Sequence, residues 1–258
     1  MTRPPAPASH VDRRQLLQLA TSAAAASTLA TTARAQPRTR AVVFDGFVIF
    51  DPRPVAALTE ELFPGKGEPL AALWRIRQFE YTWLRTLTGR YTDFWTVTRD
   101  ALTYAAAVTK VDLTDGTRDR LMQAFLALKA YPDVAGGLRA LRDAGIRLAF
   151  LSNLTEPMLE SAIASAGLDG LFEQNLSTDR VRAFKPDPRA YQMGIDALGL
   201  PREEIVFAAF GGWDAAGATS FGYRTFWANR LRLPVEELDV RPDAIGDNLQ
   251  DLVRFVTA

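Results

Sequence analysis

The chain has 258 residues, of which 48% are hydrophobic and 23% are charged, a composition typical of a folded globular protein. Lysine plus arginine and aspartate plus glutamate both total 30, so there is no basic excess of the kind that binds nucleic acid or a membrane surface. At this length the chain can form one domain with a large insertion or two small domains.

The N-terminal segment has the features of an export signal. The pair Arg13–Arg14 precedes an Ala-, Leu- and Thr-rich stretch, and Ala33–Ala35 is an A-x-A cleavage pattern. The apolar stretch is too short, and too often interrupted by Ser and Thr, to span a membrane. We therefore expect residues 1–35 to be a twin-arginine signal peptide and the mature protein to be periplasmic. The alternative is a disordered Ala-rich tail.

Removal of residues 1–35 takes away four Arg and one Asp, which leaves 26 basic and 29 acidic residues and a formal charge of −3. It also removes His10, the only histidine of a sequence that contains no cysteine. Ser-His-Asp and Cys-His catalysis are thereby excluded, as are zinc sites built from His and Cys. Covalent chemistry in the mature protein must come from a carboxylate, Ser, Thr, Tyr or Lys.

A short apolar run at residues 41–44 ends in Asp45 and is followed at once by Gly46. Four consecutive residues of the buried type predict a fully covered strand of a parallel sheet. Because ligands of open α/β sheets bind beyond the carboxyl ends of the strands, Asp45 would lie at the functional edge, and Gly46 lets the chain turn there. Asp45 is therefore a candidate nucleophile. The alternative is an aspartate that only caps the next turn.

The stretch from about residue 55 to residue 129 is predicted to be wholly helical. Helices are expected at Val55–Leu62, Glu68–Leu87, Thr92–Val108 and Thr114–Leu128. A helical block of this kind between the first strand and the later α/β pattern predicts an inserted cap domain at residues 54–130. The core would then comprise residues 36–53 and 131–258.

From Tyr131 onward, predicted helices alternate with predicted strands. The strands are Arg147–Leu151, Phe172–Leu176, Ile205–Phe210 and Thr225–Ala228, and the helices are Val134–Asp143, Glu156–Ala166, Asp187–Leu198 and Asn248–Val256. This alternation predicts an α/β fold with a doubly wound, Rossmann-like parallel sheet.

Polar groups follow several of these strands: Asp45, Ser152, Asn153, Lys185 and Asp214. We expect them to converge, because the carboxyl ends of parallel strands share one edge of the sheet. Ser152 and Asn153 precede a helix N-terminus, which attracts anions, and Lys185 lies in a proline-flanked loop that suits a cation aimed at a carboxylate. Each of these residues also has an alternative without a catalytic role. Ser152 or Asn153 could be a helix cap, Lys185 a solvated loop residue, and Asp214 the start of a helix.

The order of these polar residues along the chain resembles the order of the sequence motifs in the haloacid dehalogenase superfamily. The helical block, with the segments Trp74–Leu84, Lys185–Tyr191 and Trp213–Ala218, is similar to the L-2-haloacid dehalogenase (type II) branch. The phosphatases of the superfamily carry a second Asp two residues after the nucleophile. Phe47 occupies that place here and cannot donate a proton, which disfavours phosphoryl transfer.

The resemblance implies a hydrolase that converts (S)-2-haloacids into (R)-2-hydroxyacids and halide. Asp45 would attack C2 of the substrate and form an ester, which water would then hydrolyse. Lys185 would keep Asp45 ionised, Asp214 would orient or activate the water, and Tyr191 would support the site through Asp45 or Lys185. Neither a metal nor an organic cofactor is implied, and the implied assembly is a homodimer.

The resemblance also implies how the substrate is held. Arg75 of the cap would bind the departing halide. The rest of the substrate would contact Ser152, Asn153, the amides of Gly46 and Phe47, and the apolar walls Phe94 and Trp213. From the residues alone, Arg75 could equally be an exposed helix residue, and Phe94 and Trp213 could be plain core.

The chain departs from the branch at three places. The segment from Asp45 to Asp51 is one residue shorter and lacks the usual Thr, and Ala209 and Gly211 stand where Ser and Asn are usual. Loss of such supporting hydrogen bonds can lower activity about 10–100-fold, and hydrolysis of the ester is the step most affected.

Two alternative functions remain open at this point. One is a hydrolase of the same fold that cleaves another C–X bond or a phosphate ester, although Phe47 speaks against the phosphatase. The other is a non-catalytic protein that binds small carboxylates, which Ala209 and Gly211 favour. Asp45 and Lys185 oppose the second alternative, because a buried Asp–Lys pair costs desolvation and has no purpose in an inactive protein.

Overall fold

The structure is a computed structural model that describes Met1 and residues 38–258. Apart from Met1, the expected signal peptide at residues 1–35 lies outside the described residues. Across the part that is described, no helix combines the length and the hydropathy needed to cross a lipid bilayer.

The first half of the described chain is mostly helical. In order, its elements are β1 (Ala41–Phe44), α1 (Gly46–Ile49), β2 (Phe50–Asp51), α2 (Arg53–Leu62), α3 (Gly67–Leu87), α4 (Phe94–Thr109), α5 (Asp115–Ala124) and β3 (Lys129–Ala130). The second half alternates: α6 (Val134–Asp143), β4 (Arg147–Ser152), α7 (Glu156–Ala166), β5 (Gln174–Ser177), α8 (Pro188–Leu198), β6 (Ile205–Ala209), α9 (Gly212–Phe221), β7 (Arg224–Ala228), β8 (Ala244–Gly246) and α10 (Leu249–Thr257).

The core is a parallel sheet with strand order β5-β4-β1-β6-β7-β8. β1 lies in its interior, where Val43 is opposite Ala149 of β4 and Phe207 of β6. Every residue of β1 is fully buried, because the strand is paired on both sides and covered on both faces. The strand order reverses at β1, so the predicted doubly wound α/β sheet is confirmed, and the reversal places Asp45 where such sheets bind ligands.

The structure also contains strands that the sequence pattern did not indicate. β8 extends the sheet beyond β7, which was expected to be the last strand, and β2 pairs with β3 in a separate antiparallel ribbon. Each of these strands has only two or three residues, too few for a recognisable period. The predicted strand Phe172–Leu176 is displaced to Gln174–Ser177, and Phe172 lies just before the strand, where it packs on Phe150 with ring centres 4.1 Å apart.

Helices α2 to α5 lie between β2 and β3, and no strand interrupts them, as expected. α3 packs against both α2 and α4. Trp74 Nε1 of α3 donates to the carbonyl of Thr98 in α4 at 2.8 Å, and Gln78 Nε2 donates to Thr98 Oγ1 at 2.7 Å. These buried hydrogen bonds fix the register of the two helices, and hence the position of Arg75 between Trp74 and Gln78. The proposed domain boundaries themselves stay a prediction.

Candidate active site

The polar residues predicted to converge do meet at the carboxyl edge of the sheet. Asp45 follows β1 directly, Ser152 ends β4, and Asp214 lies in the first turn of α9, just beyond β6. They surround a cavity of about 20 Å³. Its lining comprises Asp45, Phe47, Arg75, Phe79, Ser152, Asn153, Phe210, Gly211, Trp213 and Asp214.

Lys185 binds two carboxylates at once. Its Nζ lies 2.7 Å from Asp45 Oδ2 and 2.7 Å from Asp214 Oδ2, and its side chain is 0% exposed. Burial by itself lowers the pKa of a lysine, but the two neighbouring carboxylates reverse that effect and raise the pKa of Lys185 above its ordinary value. Lys185 is therefore a permanent cation in this site.

The two carboxylate oxygens of Asp45 have different partners. Oδ2 binds Lys185, while Oδ1 accepts a hydrogen bond of 2.9 Å from the backbone N–H of Phe47. Asp45 is thus also the N-cap of α1, so the capping role that seemed an alternative to catalysis coexists with the ion pair. The Phe47 amide was expected to bind the substrate carboxylate. It is committed to Asp45 instead, and this part of the prediction is corrected.

Ser152 and Asn153 present donors to the other side of the cavity. Asn153 Oδ1 accepts from the backbone N–H of Lys185 at 3.1 Å, which orients the amide, while its buried Nδ2 has no hydrogen-bond partner among the described residues. Ser152 Oγ accepts from Leu154 N at 3.2 Å and keeps its own proton available. A buried amide donor without a partner is costly unless a ligand binds it, so this pair suits an incoming carboxylate.

Tyr191 acts on Asp214, not on Asp45 or Lys185 as expected. Its hydroxyl donates to Asp214 Oδ1 at 2.8 Å. Gly217 makes this contact possible, because a Cβ at that position would lie 2.5 Å from Tyr191 Oη. Burial, opposed by Lys185, raises the pKa of Asp214 to about 6. Asp214 is therefore a carboxylate that can exchange a proton near neutral pH.

The apolar wall of the cavity differs from the expectation at one residue. Trp213 lines the cavity and packs against Phe79, with ring centres 5.2 Å apart. Phe94 does not line the cavity, because it is fully buried and its ring packs against Phe184 with centres 6.2 Å apart. Phe79 and Phe210 also line the cavity, and neither was predicted from the sequence. The spacing of four residues between Arg75 and Phe79, which puts both on one helix face, was a usable signal for the first.

Arg75 reaches the cavity from α3. Its guanidinium carbon lies 5.6 Å from the centre of the Phe210 ring, and Arg75 has no acidic partner within residues 38–258. Desolvation lowers the pKa of Arg75 from its ordinary value, but an arginine retains its charge at neutral pH. The side chain is still partly exposed to solvent. Arg75 is therefore a cation with spare donors for an anion in the cavity.

Packing accounts for one departure from the expected motif. At Gly211, a Cβ would lie 2.7 Å from Trp213 Nε1, so an asparagine cannot occupy this position unless the indole moves. Ala209 is fully buried at the end of β6. At these two positions apolar packing replaces the hydrogen-bonding groups that the sequence comparison with the branch led us to expect.

A sheet edge with a buried lysine between two aspartates defines a hydrolase site built around a carboxylate nucleophile. Residues 15–222 match the haloacid dehalogenase-like hydrolase family, and the chain belongs to this family. Its relatives assign it to the L-2-haloacid dehalogenase branch.

Three relatives illustrate the similarity. Haloacetate dehalogenase H-2 of Moraxella sp. (strain B) is 41% identical over 217 residues, which are 84% of this chain and 97% of that protein. An L-2-haloacid dehalogenase of known crystal structure has 47% sequence identity to this chain and a TM-score of 0.84. The match covers 86% of this chain and 100% of that chain. The structure of the L-2-haloacid dehalogenase of Xanthobacter autotrophicus was solved with chloropropionic acid covalently bound. That protein is 35% identical to this chain, with a TM-score of 0.79, and the match covers 85% of this chain and 99% of that chain.

The hydrogen bond between Tyr191 and Asp214 has a measurable consequence. It stabilises the charged form of Asp214, so Tyr191→Phe is expected to raise the pKa of Asp214. If catalysis needs ionised Asp214, wild-type activity will fall as the pH drops through about 6. In the variant, activity will fall at a higher pH, and kcat will be about tenfold lower. The pH dependence of kcat measures both effects.

Tyr223→Phe is the matched control. It removes another buried tyrosine hydroxyl, which donates to the backbone carbonyl of Tyr191 at 2.8 Å and not to a catalytic carboxylate. The control should leave the acid limb of the pH profile unchanged. Superimposable profiles for Tyr191→Phe and the wild type would contradict the assignment.

Proposed function

We propose that the chain is a hydrolytic dehalogenase that converts (S)-2-haloacids into (R)-2-hydroxyacids and halide through an ester on Asp45. The observation that carries the proposal is the buried ammonium of Lys185, which holds Asp45 and Asp214 at 2.7 Å each. This arrangement holds one carboxylate against an ammonium beside the cavity and provides a second for the hydrolytic step. The covalently bound chloropropionic acid in the Xanthobacter autotrophicus relative supports the ester intermediate.

In the first step, a carboxylate oxygen of Asp45 attacks C2 from the side opposite the halogen. The new O–C2 bond forms as the C2–halogen bond breaks, the electron pair leaves with the halide, and the configuration at C2 inverts. Lys185 and the Phe47 amide fix the carboxylate in place before the substrate arrives. Such preorganisation is the main contribution a protein can make to a displacement of this kind.

The substrate is oriented by groups on opposite sides of the cavity. Ser152 Oγ and the unpartnered Nδ2 of Asn153 bind its carboxylate. A contribution from the Gly46 amide stays a prediction from the sequence, because Gly46 does not line the cavity. Arg75 binds the halogen as negative charge develops on it, since this guanidinium has no acidic partner in the described chain. Phe79, Phe210 and Trp213 exclude bulk water, which would otherwise solvate the nucleophile.

In the second step, Asp214 accepts a proton from water, whose oxygen attacks Cγ of the Asp45 ester. The Lys185 ammonium and the Phe47 N–H face different oxygens of Asp45, and the donor that faces the carbonyl oxygen of the ester stabilises the resulting oxyanion. The bond between Cγ and the substrate-bearing oxygen then breaks. Asp214 returns its proton to the departing alkoxide, which leaves as the (R)-2-hydroxyacid. The second proton of the water, left on the carboxyl group of Asp45, passes to solvent, and the Asp45 carboxylate is regenerated.

We include haloacetates among the proposed substrates. The relative at 41% identity is a haloacetate dehalogenase, and a haloacetate has no substituent at C2 to accommodate. A phosphatase activity is disfavoured, because the place of the second aspartate is taken by Phe47, which is buried and packs against Phe210 with ring centres 6.0 Å apart. A proton donor for a phosphate ester is therefore missing at this position.

We also propose that the protein is exported by the twin-arginine route and works in the periplasm. The support is the order of sequence features from Arg13 to Ala35. Expression in a host with this export system should give a periplasmic protein whose N-terminus is Gln36. An uncleaved protein that remains in the cytoplasm would contradict the proposal.

A homodimer is the assembly that we propose. Large apolar side chains on α3 and α4 are exposed, namely Ile76, Leu84, Leu87, Tyr104 and Val108. A cluster of this kind is typical of a subunit interface. A monomeric mass in light scattering would contradict the proposal.

Replacing the nucleophile tests the function directly. With (S)-2-chloropropionate, the wild type should release chloride over many turnovers, and Asp45→Asn should lower this rate by about 10⁴-fold or more, because an amide is a poor nucleophile. Asp187→Asn is the control, since Asp187 is an N-cap paired with Arg189 at the surface. Halide release that survives in Asp45→Asn would contradict the proposal.

A further inference from the structure

A second and larger cavity adjoins the catalytic one on the side of the helical block. It measures about 130 Å³, roughly six times the 20 Å³ of the cavity that contains Asp45. Both cavities are lined by Phe47, Arg75, Phe79 and Phe210, so the two cavities meet at these side chains. The larger cavity is therefore adjacent to the proposed substrate site.

The lining of the larger cavity is mainly apolar, and its polar members include Arg53, Arg75 and Tyr131. Val55, Trp74 and Phe125 are buried in its wall, and the rings of Trp74 and Phe125 meet edge to face at 5.3 Å. The indole N–H of Trp74 and the amide N–H of Gln78 are already occupied, because both donate hydrogen bonds to Thr98. Near Ala56 and Leu231 the wall is exposed, so the cavity opens to solvent there. Such a surface suits an alkyl group.

The catalytic cavity is too small to enclose most 2-haloacids. A cavity needs at least about 10–15 Å³ to hold one water molecule, so about 20 Å³ accommodates little more than that. Besides its hydrogen, C2 of a 2-haloacid carries a carboxylate, a halogen and a substituent. In the proposed orientation the carboxylate faces Asn153 and the halogen faces Arg75, and we place the substituent against Phe47, Phe79 and Phe210, which line both cavities.

We propose that this cavity binds the alkyl substituent at C2, so that the enzyme prefers longer unbranched 2-haloacids such as 2-bromohexanoate to 2-bromopropionate. The proposal rests on the proposed function and adds the substrate class to it. Each methylene transferred from water into an apolar site should raise kcat/KM about fourfold. Three more methylenes should therefore raise kcat/KM about sixtyfold, as long as the chain fits.

The test combines the wild type with one filling variant. Ala71 of α3 lines the cavity, and Ala71→Leu would occupy part of it without weakening the helix. The variant should lower kcat/KM for (S)-2-bromohexanoate by about tenfold or more and change kcat/KM for (S)-2-bromopropionate by no more than about twofold. Ala72→Leu is the matched control, because Ala72 is exposed and does not line the cavity. It should change neither value.

The outcomes separate this inference from the proposed function. Turnover of 2-bromopropionate with no gain for the longer acid overturns the inference alone. An equal loss on both substrates in Ala71→Leu also overturns it, since the cavity would then serve only as a route of access. No turnover of either acid by the wild type overturns the proposed function and the inference together.

A second measurement needs no variant and so does not depend on Ala71→Leu folding. The product (R)-2-hydroxyhexanoate should inhibit the wild type about sixtyfold more tightly than (R)-lactate, for the same three methylenes. Equal inhibition by the two hydroxyacids would overturn the proposal.

Discussion

The site depends on one buried cation. The Lys185 side chain is fully buried and contacts two carboxylates, a combination that is stable only because each charge compensates the desolvation of the others. Without the ammonium, Asp45 and Asp214 would be two like charges beside one cavity, and their mutual repulsion would be uncompensated. The backbone N–H of Lys185 also holds Asn153. A single residue thus connects the nucleophile, the group for the hydrolytic water and the group that binds the substrate carboxylate.

The short segment after Asp45 is held from outside the site. Arg230, on the loop after β7, donates through Nε and Nη2 to the carbonyl of Val48 at 3.1 and 3.0 Å. The same guanidinium binds both carboxylate oxygens of Asp133 at 2.9 and 3.0 Å, a bidentate arrangement that is geometrically rigid. The ribbon of β2 and β3 closes the segment on its other side. These contacts give the backbone around Asp45 a defined position although the segment is shorter than expected and has no threonine.

Much of the fold and of the polar site could be predicted from the sequence, because both follow from the ends of buried strands. Asp45, Ser152 and Asp214 meet since parallel strands share a carboxyl edge, and the sheet was recognisable from its alternating pattern. The partner of Tyr191 could not be predicted. Whether its hydroxyl reaches Asp45, Lys185 or Asp214 depends on the packing of α8 against α9, and on the space left by Gly217.

The apolar wall was harder to predict for a similar reason. Phe94 and Phe79 both lie on helices of the block between β2 and β3, and sequence spacing alone does not show which helix face meets the sheet edge. The hydrogen bonds of Trp74 and Gln78 to Thr98 set the rotation of α3, and they turn Phe79 toward the cavity. Phe94, at the start of α4, packs against Phe184 instead.

The most direct test of the central claim follows the oxygen of the solvent through one turnover. Excess enzyme is mixed with (S)-2-chloropropionate in H₂¹⁸O, and both the product and the peptide that contains Asp45 are analysed by mass spectrometry. If the ester forms on Asp45, the hydroxyl oxygen of the first (R)-lactate comes from the protein and ¹⁸O appears in the carboxylate of Asp45. If ¹⁸O appears in the lactate of the first turnover and the Asp45 peptide remains unlabelled, water attacks C2 directly and the account is wrong.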